Sequence, residues 1–163
     1  MNGYVKIGWL LALSLVLGIM AAACIGAAGT AVEPPRERTI YMAAIEPKGS
    51  TTVDKEPFPA AKLPAGGGYA LKAPDEGGKW VVETYRFTPG TLVVNEGDTV
   101  TLEIAGINGK EHPFHIEGYD VRGVVKRGEI TRVTFNADKA GLFKLVCDIH
   151  LPTMEADLVV LNR

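Results

Sequence analysis

Cysteine is scarce in this sequence: the 163 residues contain only Cys24 and Cys147. A framework of disulfides, such as the one that holds many small secreted domains together, is therefore excluded. The sequence also lacks a glycine-rich phosphate loop, a Ser/His/Asp order and a paired-carboxylate pattern, so the common signatures of nucleotide-binding proteins and hydrolases are missing. From residue 79 onward no long stretch has a 3.6-residue hydrophobic period, which argues against a helical domain.

Charge is nearly balanced, with 17 basic and 19 acidic residues and a net charge of −2. Such a weakly acidic chain offers no electrostatic reason to expect a nucleic-acid partner. Hydrophobic residues make up 47% of the sequence, which is compatible with a packed core, and the length suffices for one ordinary domain. The function therefore has to be inferred from individual sites.

The first 32 residues predict an export segment. Residues 7–32 contain no charged residue and Lys6 precedes them, as in the positive and apolar regions of a signal peptide. A retained membrane anchor is an alternative, because the uncharged stretch exceeds the roughly 20 residues that span a bilayer. Cys24 follows three alanines and resembles a lipoprotein cleavage site. All three interpretations place the rest of the chain in the periplasm or another extracytoplasmic compartment, either free or attached to the membrane through its N-terminus.

Residues 33–78 are predicted to contain little regular structure. Residues 33–38 are predicted to form a tether, residues 39–45 a possible first strand, and residues 47–78, which are rich in proline and glycine, a long loop. From residue 79 to residue 163, strands are predicted at 80–87, 92–94, 99–104, 114–116, 130–135, 141–147 and 158–161. Many short strands at this spacing predict an all-β domain, a Greek-key sandwich or barrel, after an N-terminal apolar leader helix.

The side chains that can bind a metal are concentrated towards the C-terminus. The three histidines are His112, His115 and His150, with Cys147 three residues before the last of them and Met154 four residues after it. If Cys24 is lipidated or cleaved away, the remaining cysteine is an odd thiol in an oxidising compartment, which is unusual unless the thiol is paired, reactive or bound to a metal. The spacing Cys-x2-His-x3-Met, with a histidine upstream, indicates a metal site.

Copper is the metal that this combination of donors favours. A thiolate, two imidazoles and a weak thioether suit an ion that alternates between Cu(I) and Cu(II). Zinc is the alternative, but structural zinc prefers a closed set of cysteine and histidine ligands, and methionine is not among them. The inward face of the predicted strand at 141–147 ends on Cys147, and the short loop at 148–153 would return His150 and Met154 to the same point. We therefore predict one copper ion at this end of the domain.

The C-terminal segment C-D-I-H-L-P-T-M resembles the copper loop of the cupredoxin family. The upstream segment H-P-F-H-I-E-G-Y-D-V and the later A-D-K-A-G look closest to the branch that holds nitrosocyanin and the copper domains of oxidase subunit two. The resemblance covers about residues 80–163 and implies a Greek-key β-sandwich with a type 1 (blue) copper site. It also implies an electron-transfer protein rather than an enzyme, with redox proteins as transient partners.

Either His112 or His115 could be the upstream copper ligand. In a strand, Phe114 and Ile116 share the parity of His112, and both have the character of core residues. This pattern favours His112 as the ligand and makes His115 an exposed histidine. The predicted copper ligands are thus His112, Cys147, His150 and Met154.

Pro113 departs from the family pattern, because many members have asparagine or serine directly after the first ligand. Proline has no N–H, so a backbone hydrogen bond to the Cys147 sulfur, which the resemblance implies, is expected to be missing. The N–H of Ile149 could partly substitute for it. Hydrogen bonds to the sulfur tune the reduction potential of such a site.

Two other functions fit the same residues. A copper enzyme of the nitrosocyanin type would need an open coordination position, which requires that Met154 does not bind or that Glu111 replaces His112. A copper carrier for an exported oxidase would instead pass its metal to an acceptor. The dinuclear copper centre of oxidases is disfavoured, because it needs a second cysteine near the first and position 151 is Leu.

Overall fold

β-Strands provide all the regular structure in the part of the chain that the computed structural model describes, residues 33–63 and 69–163. In chain order the strands are β1 (Glu37–Ile45), β2 (Lys48–Thr52), β3 (Tyr69–Lys72), β4 (Lys79–Thr84), β5 (Arg86–Thr88), β6 (Thr91–Asn95), β7 (Thr99–Gly106), β8 (Glu111–Ile116), β9 (Val121–Lys126), β10 (Ile130–Asn136), β11 (Gly141–Cys147) and β12 (Glu155–Leu161). They belong to one compact unit that runs from Pro34 to Arg163. The predicted leader helix and Cys24 lie outside the described residues.

Two large sheets enclose the core and confirm the predicted all-β sandwich. One sheet has the order β10-β7-β1-β5, and the other has the order β6-β12-β11-β8-β9. β1 runs parallel to β7 and β6 runs parallel to β12, while the other pairs in these two sheets are antiparallel. The parallel pairs join strands that are distant in the sequence, as Greek-key connections do.

The apolar alternation in the sequence explains which faces of the sheets are buried. In β7, Val100, Leu102 and Ile104 are fully buried, and the residues between them are only partly buried. Leu145 on β11 and Leu158 on β12 belong to the same core cluster from the opposite sheet. Burying an apolar side chain of this size stabilises the folded state by roughly 1.5–3 kcal/mol, so the period-2 pattern specifies the register of each strand.

A third sheet, of order β2-β4-β3, corrects the prediction of a loop over residues 47–78. β2 pairs antiparallel with β4 from Lys48 to Thr52, and β3 pairs with the other edge of β4. We call these three strands the third sheet. The sequence K-G-S-T-T of β2 has no apolar alternation and its residues are exposed or half-buried, because backbone hydrogen bonds rather than core contacts hold it in the sheet. The structure also divides the strand predicted at residues 80–87 at Tyr85, which lies between β4 and β5.

β9 was absent from the strands that the sequence pattern predicts. A glycine, Gly123, interrupts its apolar residues, yet Val121 and Val125 are buried on one face. A Cβ at Gly123 would lie 2.8 Å from two carbon atoms of the Phe114 ring on β8, so the glycine makes room for a core phenylalanine. Within residues 33–63 and 69–163, no helix is long and apolar enough to cross a membrane.

Candidate metal centre

Three predicted ligands meet at one point of the sandwich. The ligand atoms of His112, Cys147 and His150 all lie within 4.8 Å of one another. His112 and Cys147 are 0% exposed, and the side chain of His150 is 20% exposed. The cluster is therefore closed on its inner side and reaches the surface only at His150.

Cys147 is the last residue of β11, where the strand gives way to the loop of residues 148–153. Its N–H donates to the carbonyl of Met154 at 2.9 Å, and the next N–H, of Asp148, donates to the carbonyl of Pro113 at 2.9 Å. Burial raises the pKa of the Cys147 thiol, whereas the N–H groups of Ile149 and His150 act in the opposite direction. A thiolate at this place therefore calls for a nearby cation, which a bound metal provides.

His112 lies on β8 and faces the core together with Phe114 and Ile116, as its parity predicts. Its Nε2 lies 2.9 Å from the carbonyl oxygen of Asn108. A carbonyl only accepts hydrogen bonds, so Nε2 carries the proton and Nδ1 of the neutral ring is left with a free lone pair. That Nδ1 lies 3.3 Å from Nδ1 of His150. The chain thus selects the tautomer that can bind a metal at the cluster.

His150 turns the same nitrogen towards the cluster. Its Nδ1 lies 3.6 Å from the Cys147 sulfur, in addition to its contact with His112. Burial lowers the pKa of His150, the neighbouring His112 lowers it further, and Glu46 opposes both. The neutral imidazole, which is the form that binds metals, is therefore favoured at this position.

Met154 closes the loop beside the cluster. It is 0% exposed, its N–H donates to the carbonyl of His150 at 3.1 Å, and its own carbonyl accepts the Cys147 N–H. The backbone thus ties Met154 to both loop ligands. A bond from its thioether to the metal remains a prediction.

His115, the alternative upstream histidine, lies outside the cluster. Its side chain is 29% exposed, and its Nδ1 lies 2.6 Å from a carboxylate oxygen of Asp148. In the sheet it pairs with Val146, and it lies on the face of β8 opposite to that of His112. The contact between His115 and Asp148 anchors the first residue of the loop of residues 148–153 to β8.

Three further residues at the site were not predicted to act there. The side chain of Glu46 is 9% exposed, and its Oε1 lies 3.8 Å from Nε2 of His150. The Tyr85 ring stacks on the His150 ring with 4.1 Å between the centroids and 2° between the planes. The carbonyl of Asn108, which precedes β8, sets the tautomer of His112. None of the three belongs to a motif, so no signal in the sequence marks them.

The donor set fits one copper ion. Two imidazoles and a buried thiol provide the nitrogen and sulfur ligands that copper prefers. Backbone hydrogen bonds tie Met154 to Cys147 and His150. The same three donors also bind zinc, but a structural zinc site would need a fourth cysteine or histidine. In the described residues, the cluster of His112, Cys147 and His150 contains no such fourth residue.

The chain is similar to one protein family and to several solved structures. A family model described as a cupredoxin-like domain matches residues 68–160, a range that contains all four predicted ligands. Among solved structures, the chain resembles a multicopper oxidase, mgLAC, at 16% identity and a TM-score of 0.50, covering 80% of this chain and 40% of that one. It also resembles a copper nitrite reductase from Nitrosomonas europaea at 16% identity and a TM-score of 0.49, with coverage of 78% and 42%.

Auracyanin A, a "blue" copper protein from Chloroflexus aurantiacus, is 16% identical over 76% of this chain and 98% of its own, with a TM-score of 0.44. By contrast, the chain spans only about two fifths of the length of mgLAC and of the nitrite reductase. No curated protein sequence matches the chain. At these identities, the likeness to mgLAC supports the sandwich fold.

Proposed function

Because the chain belongs to the cupredoxin-like family, we propose that it is an exported electron carrier with one copper ion bound by His112, Cys147, His150 and Met154. The observation that carries the proposal is the convergence of one buried thiol and two imidazoles, whose ligand atoms lie within 4.8 Å of one another. Copper bound there would supply the exchange of a single electron between its Cu(I) and Cu(II) states. We also propose that the protein turns over no substrate, because four protein ligands would leave no coordination position open.

The chain's own residues would keep this site unchanged between the two oxidation states. Cys147 and His112 project from neighbouring strands of one sheet. The Asp148 N–H donates to the Pro113 carbonyl and the Cys147 N–H donates to the Met154 carbonyl, and these two bonds fix both ends of the loop of residues 148–153. The N–H groups of Ile149 and His150 act on the sulfur and favour its thiolate. Burial of the cluster excludes water from the inner side of the metal.

A redox partner would dock around His150, the one ligand that reaches the surface. Ile149 and Leu151 flank it and are each 56% exposed, and Pro152 is exposed beside them. A small apolar surface of this kind suits weak, short-lived encounters. Export would follow from the apolar segment at residues 7–32, which also provides the proposed attachment to a membrane if it is retained.

A reaction with small acceptors tests this function against the two alternatives. The copper-loaded, reduced protein is mixed with an excess of a one-electron acceptor, with nitrite or with dioxygen. An electron carrier is expected to deliver one electron per chain to the acceptor and to consume neither nitrite nor dioxygen catalytically. Catalytic consumption would instead identify an enzyme with an open copper site, and faster loss of copper to a chelating protein than of electrons would identify a copper carrier.

Replacing the two upstream histidines separately tests which of them binds copper. His112→Ala is expected to weaken copper binding by more than the roughly 100-fold that the loss of an outer-shell partner costs, because it removes a ligand. His115→Ala is expected to leave copper affinity within about tenfold of wild type, since only the Asp148 contact is lost. Competition with a chelator of known affinity measures both values, and the reverse order of effects would assign the site to His115.

Pro113→Asn is expected to raise the reduction potential. The Pro113 carbonyl accepts from Asp148, so this edge of β8 faces the end of β11, where a backbone N–H would reach the Cys147 sulfur. A new hydrogen bond worth about 1 kcal/mol corresponds to roughly 40 mV for one electron. Potentiometric titration measures the shift, and Pro113→Ala, which restores the same N–H without the amide side chain, is the matched control. An unchanged or lower potential in both variants would contradict the expectation.

A further inference from the structure

Two residues that are not predicted ligands, Tyr85 and Glu46, lie against the His150 ring. Tyr85 covers one face in a nearly parallel stack, and the Glu46 carboxylate lies 3.8 Å from the ring nitrogen opposite the cluster. A histidine on a loop can ordinarily rotate about both side-chain torsions. Here the stack restricts the plane of the ring, and the carboxylate attracts the Nε2–H end, so only one orientation keeps both contacts.

Glu46 and Tyr85 lie opposite each other, where the chain passes from the sandwich into the third sheet and back. Ile45, the last residue of β1, pairs with Arg86, the first residue of β5, so the next residue outward on each side is Glu46 or Tyr85. One step further, the Thr84 N–H donates to the carbonyl of Pro47 at 3.0 Å. This bond closes the base of the third sheet, and Tyr85, the residue next to Thr84, stacks on His150.

Asn108 and Lys48 hold Glu46 in place. The Asn108 amide accepts from the Glu46 N–H and donates to the Glu46 carbonyl, both at 2.7 Å. Nζ of Lys48 lies 3.2 Å from the Glu46 carboxylate and 3.9 Å from that of Glu83. Because two backbone bonds and an ion pair fix this residue, its carboxylate is aimed at the ring rather than free to turn into solvent.

Tyr85 is tied to the same network from the other side. Its hydroxyl lies 3.4 Å from a carboxylate oxygen of Glu83 on β4, and Lys72 on β3 bonds that carboxylate at 2.9 Å. Each strand of the third sheet thus contributes a side chain to the network around Glu46 and Tyr85: Lys48 from β2, Lys72 from β3 and Glu83 from β4. This arrangement is larger than a loop connection between β1 and β5 would need.

We propose that Tyr85 and Glu46 are positioning residues for His150, and that the third sheet supports them. They keep Nδ1 of His150 directed at Cys147 and His112 before a metal binds, so that no rotational freedom of this ligand is lost on binding. The inference rests on the proposed copper site only for the identity of the metal. The orientation of the ring is a property of the metal-free protein.

Nuclear magnetic resonance of the metal-free protein tests the orientation directly. In wild type, nuclear Overhauser contacts are expected from the His150 ring to the rings of both Tyr85 and His112. Tyr85→Phe keeps the stack and should retain the contact with His112, whereas Tyr85→Leu should lose it. Tyr41→Leu, at a tyrosine that is 72% exposed on β1, is the matched control and should resemble wild type.

Copper affinity supplies a second readout. Tyr85→Leu and Glu46→Gln are each expected to weaken binding by about tenfold or more, the cost of losing a partner that orients a ligand. Tyr85→Phe and Tyr41→Leu are expected to stay within about twofold. Glu46→Gln is nearly isosteric, so it carries the test if Tyr85→Leu does not fold.

Two results would overturn the proposal: a His150 ring that averages over several orientations in metal-free wild type, or wild-type copper affinity in both Tyr85→Leu and Glu46→Gln. If the chain takes up no copper at all, the proposed function fails, while the resonance experiment on the metal-free protein still decides whether the two residues hold the ring. The two failures are therefore distinguishable.

Discussion

Cys147→Ser is expected to abolish the visible absorption of the copper-loaded protein and to reduce its Cu(I) affinity by well over the roughly 100-fold that an outer-shell substitution costs. The thiol is 0% exposed and lies 3.6 Å from Nδ1 of His150. Cys147 is the free cysteine of the described residues, so no second thiol there can replace it. Serine is close in size but offers a hard oxygen, which binds Cu(I) poorly.

The measurement is an absorption spectrum and a chelator competition on wild type and Cys147→Ser side by side. His115→Ala serves as the control for a change near the site that removes no predicted ligand. Circular dichroism and the unfolding midpoint of each metal-free variant show that the fold is retained. A serine variant that kept an intense charge-transfer band would show that the thiolate is not a copper ligand.

Asp98→Asn is expected to lower the free energy of unfolding by about 3 kcal/mol, because it removes one partner from a buried ion-pair cluster. The Asp98 side chain is 0% exposed. It accepts hydrogen bonds from the N–H groups of Arg36 and Asn95, each at 3.0 Å, and from the side chains of Arg38 and Arg163. It thereby joins the start of β1, the turn before β7 and the residues after β12.

The contribution of Asp98 is expected to disappear in acid. Burial alone would raise the pKa of this carboxyl, but the hydrogen bonds from Asn95, Arg36 and Arg38 outweigh it and lower the pKa from 3.8 to about 2. A depressed pKa in the folded state stabilises the protein above the unfolded-state value and loses that effect as pH falls through the folded-state value. The gap between wild type and Asp98→Asn should therefore be complete at neutral pH and shrink between about pH 4 and pH 2.

Urea unfolding of both proteins at several pH values measures that gap. Asp120→Asn, at an exposed aspartate in the turn before β9, is the control and is expected to change the free energy of unfolding by less than about 0.5 kcal/mol. Equal stability of wild type and Asp98→Asn at pH 7 would contradict the structural role assigned to this carboxylate. A gap that grew in acid would contradict the assigned direction of the pKa shift.

Apolar alternation predicted most of the strands that face the core, but not β9, whose apolar residues are interrupted by Gly123. β11 has the bounds that its pattern predicts, and β7 buries the face on which Val100 and Leu102 lie. β2 was missed because its residues are polar or glycine, and β3 because it has only four residues and lies in a stretch rich in proline and glycine. Pairing with β4 forms both strands. Backbone pairing of this kind leaves no pattern of residue types in the sequence.

The candidate site was predictable where its residues are close in sequence. Cys147, His150 and Met154 lie on one loop, and strand parity favours His112 over His115. The residues around His150 were not predictable, because Glu46 and Tyr85 come together only when β1 pairs with β5 and the Thr84 N–H bonds the Pro47 carbonyl. Such a contact depends on tertiary structure, and neither residue lies in a motif that would announce it.

In the proposed site, a thiolate and two imidazoles, with Met154, bind a single copper ion that carries one electron. A spectroelectrochemical titration of the wild-type protein tests it most directly, with Cu(II) added in steps before the potential is cycled. We expect an intense thiolate-to-copper band that saturates at one copper per chain, bleaches with one electron and returns fully on oxidation. A chain that shows no such band at any copper ratio, or a band that does not recover after one reduction, would contradict it.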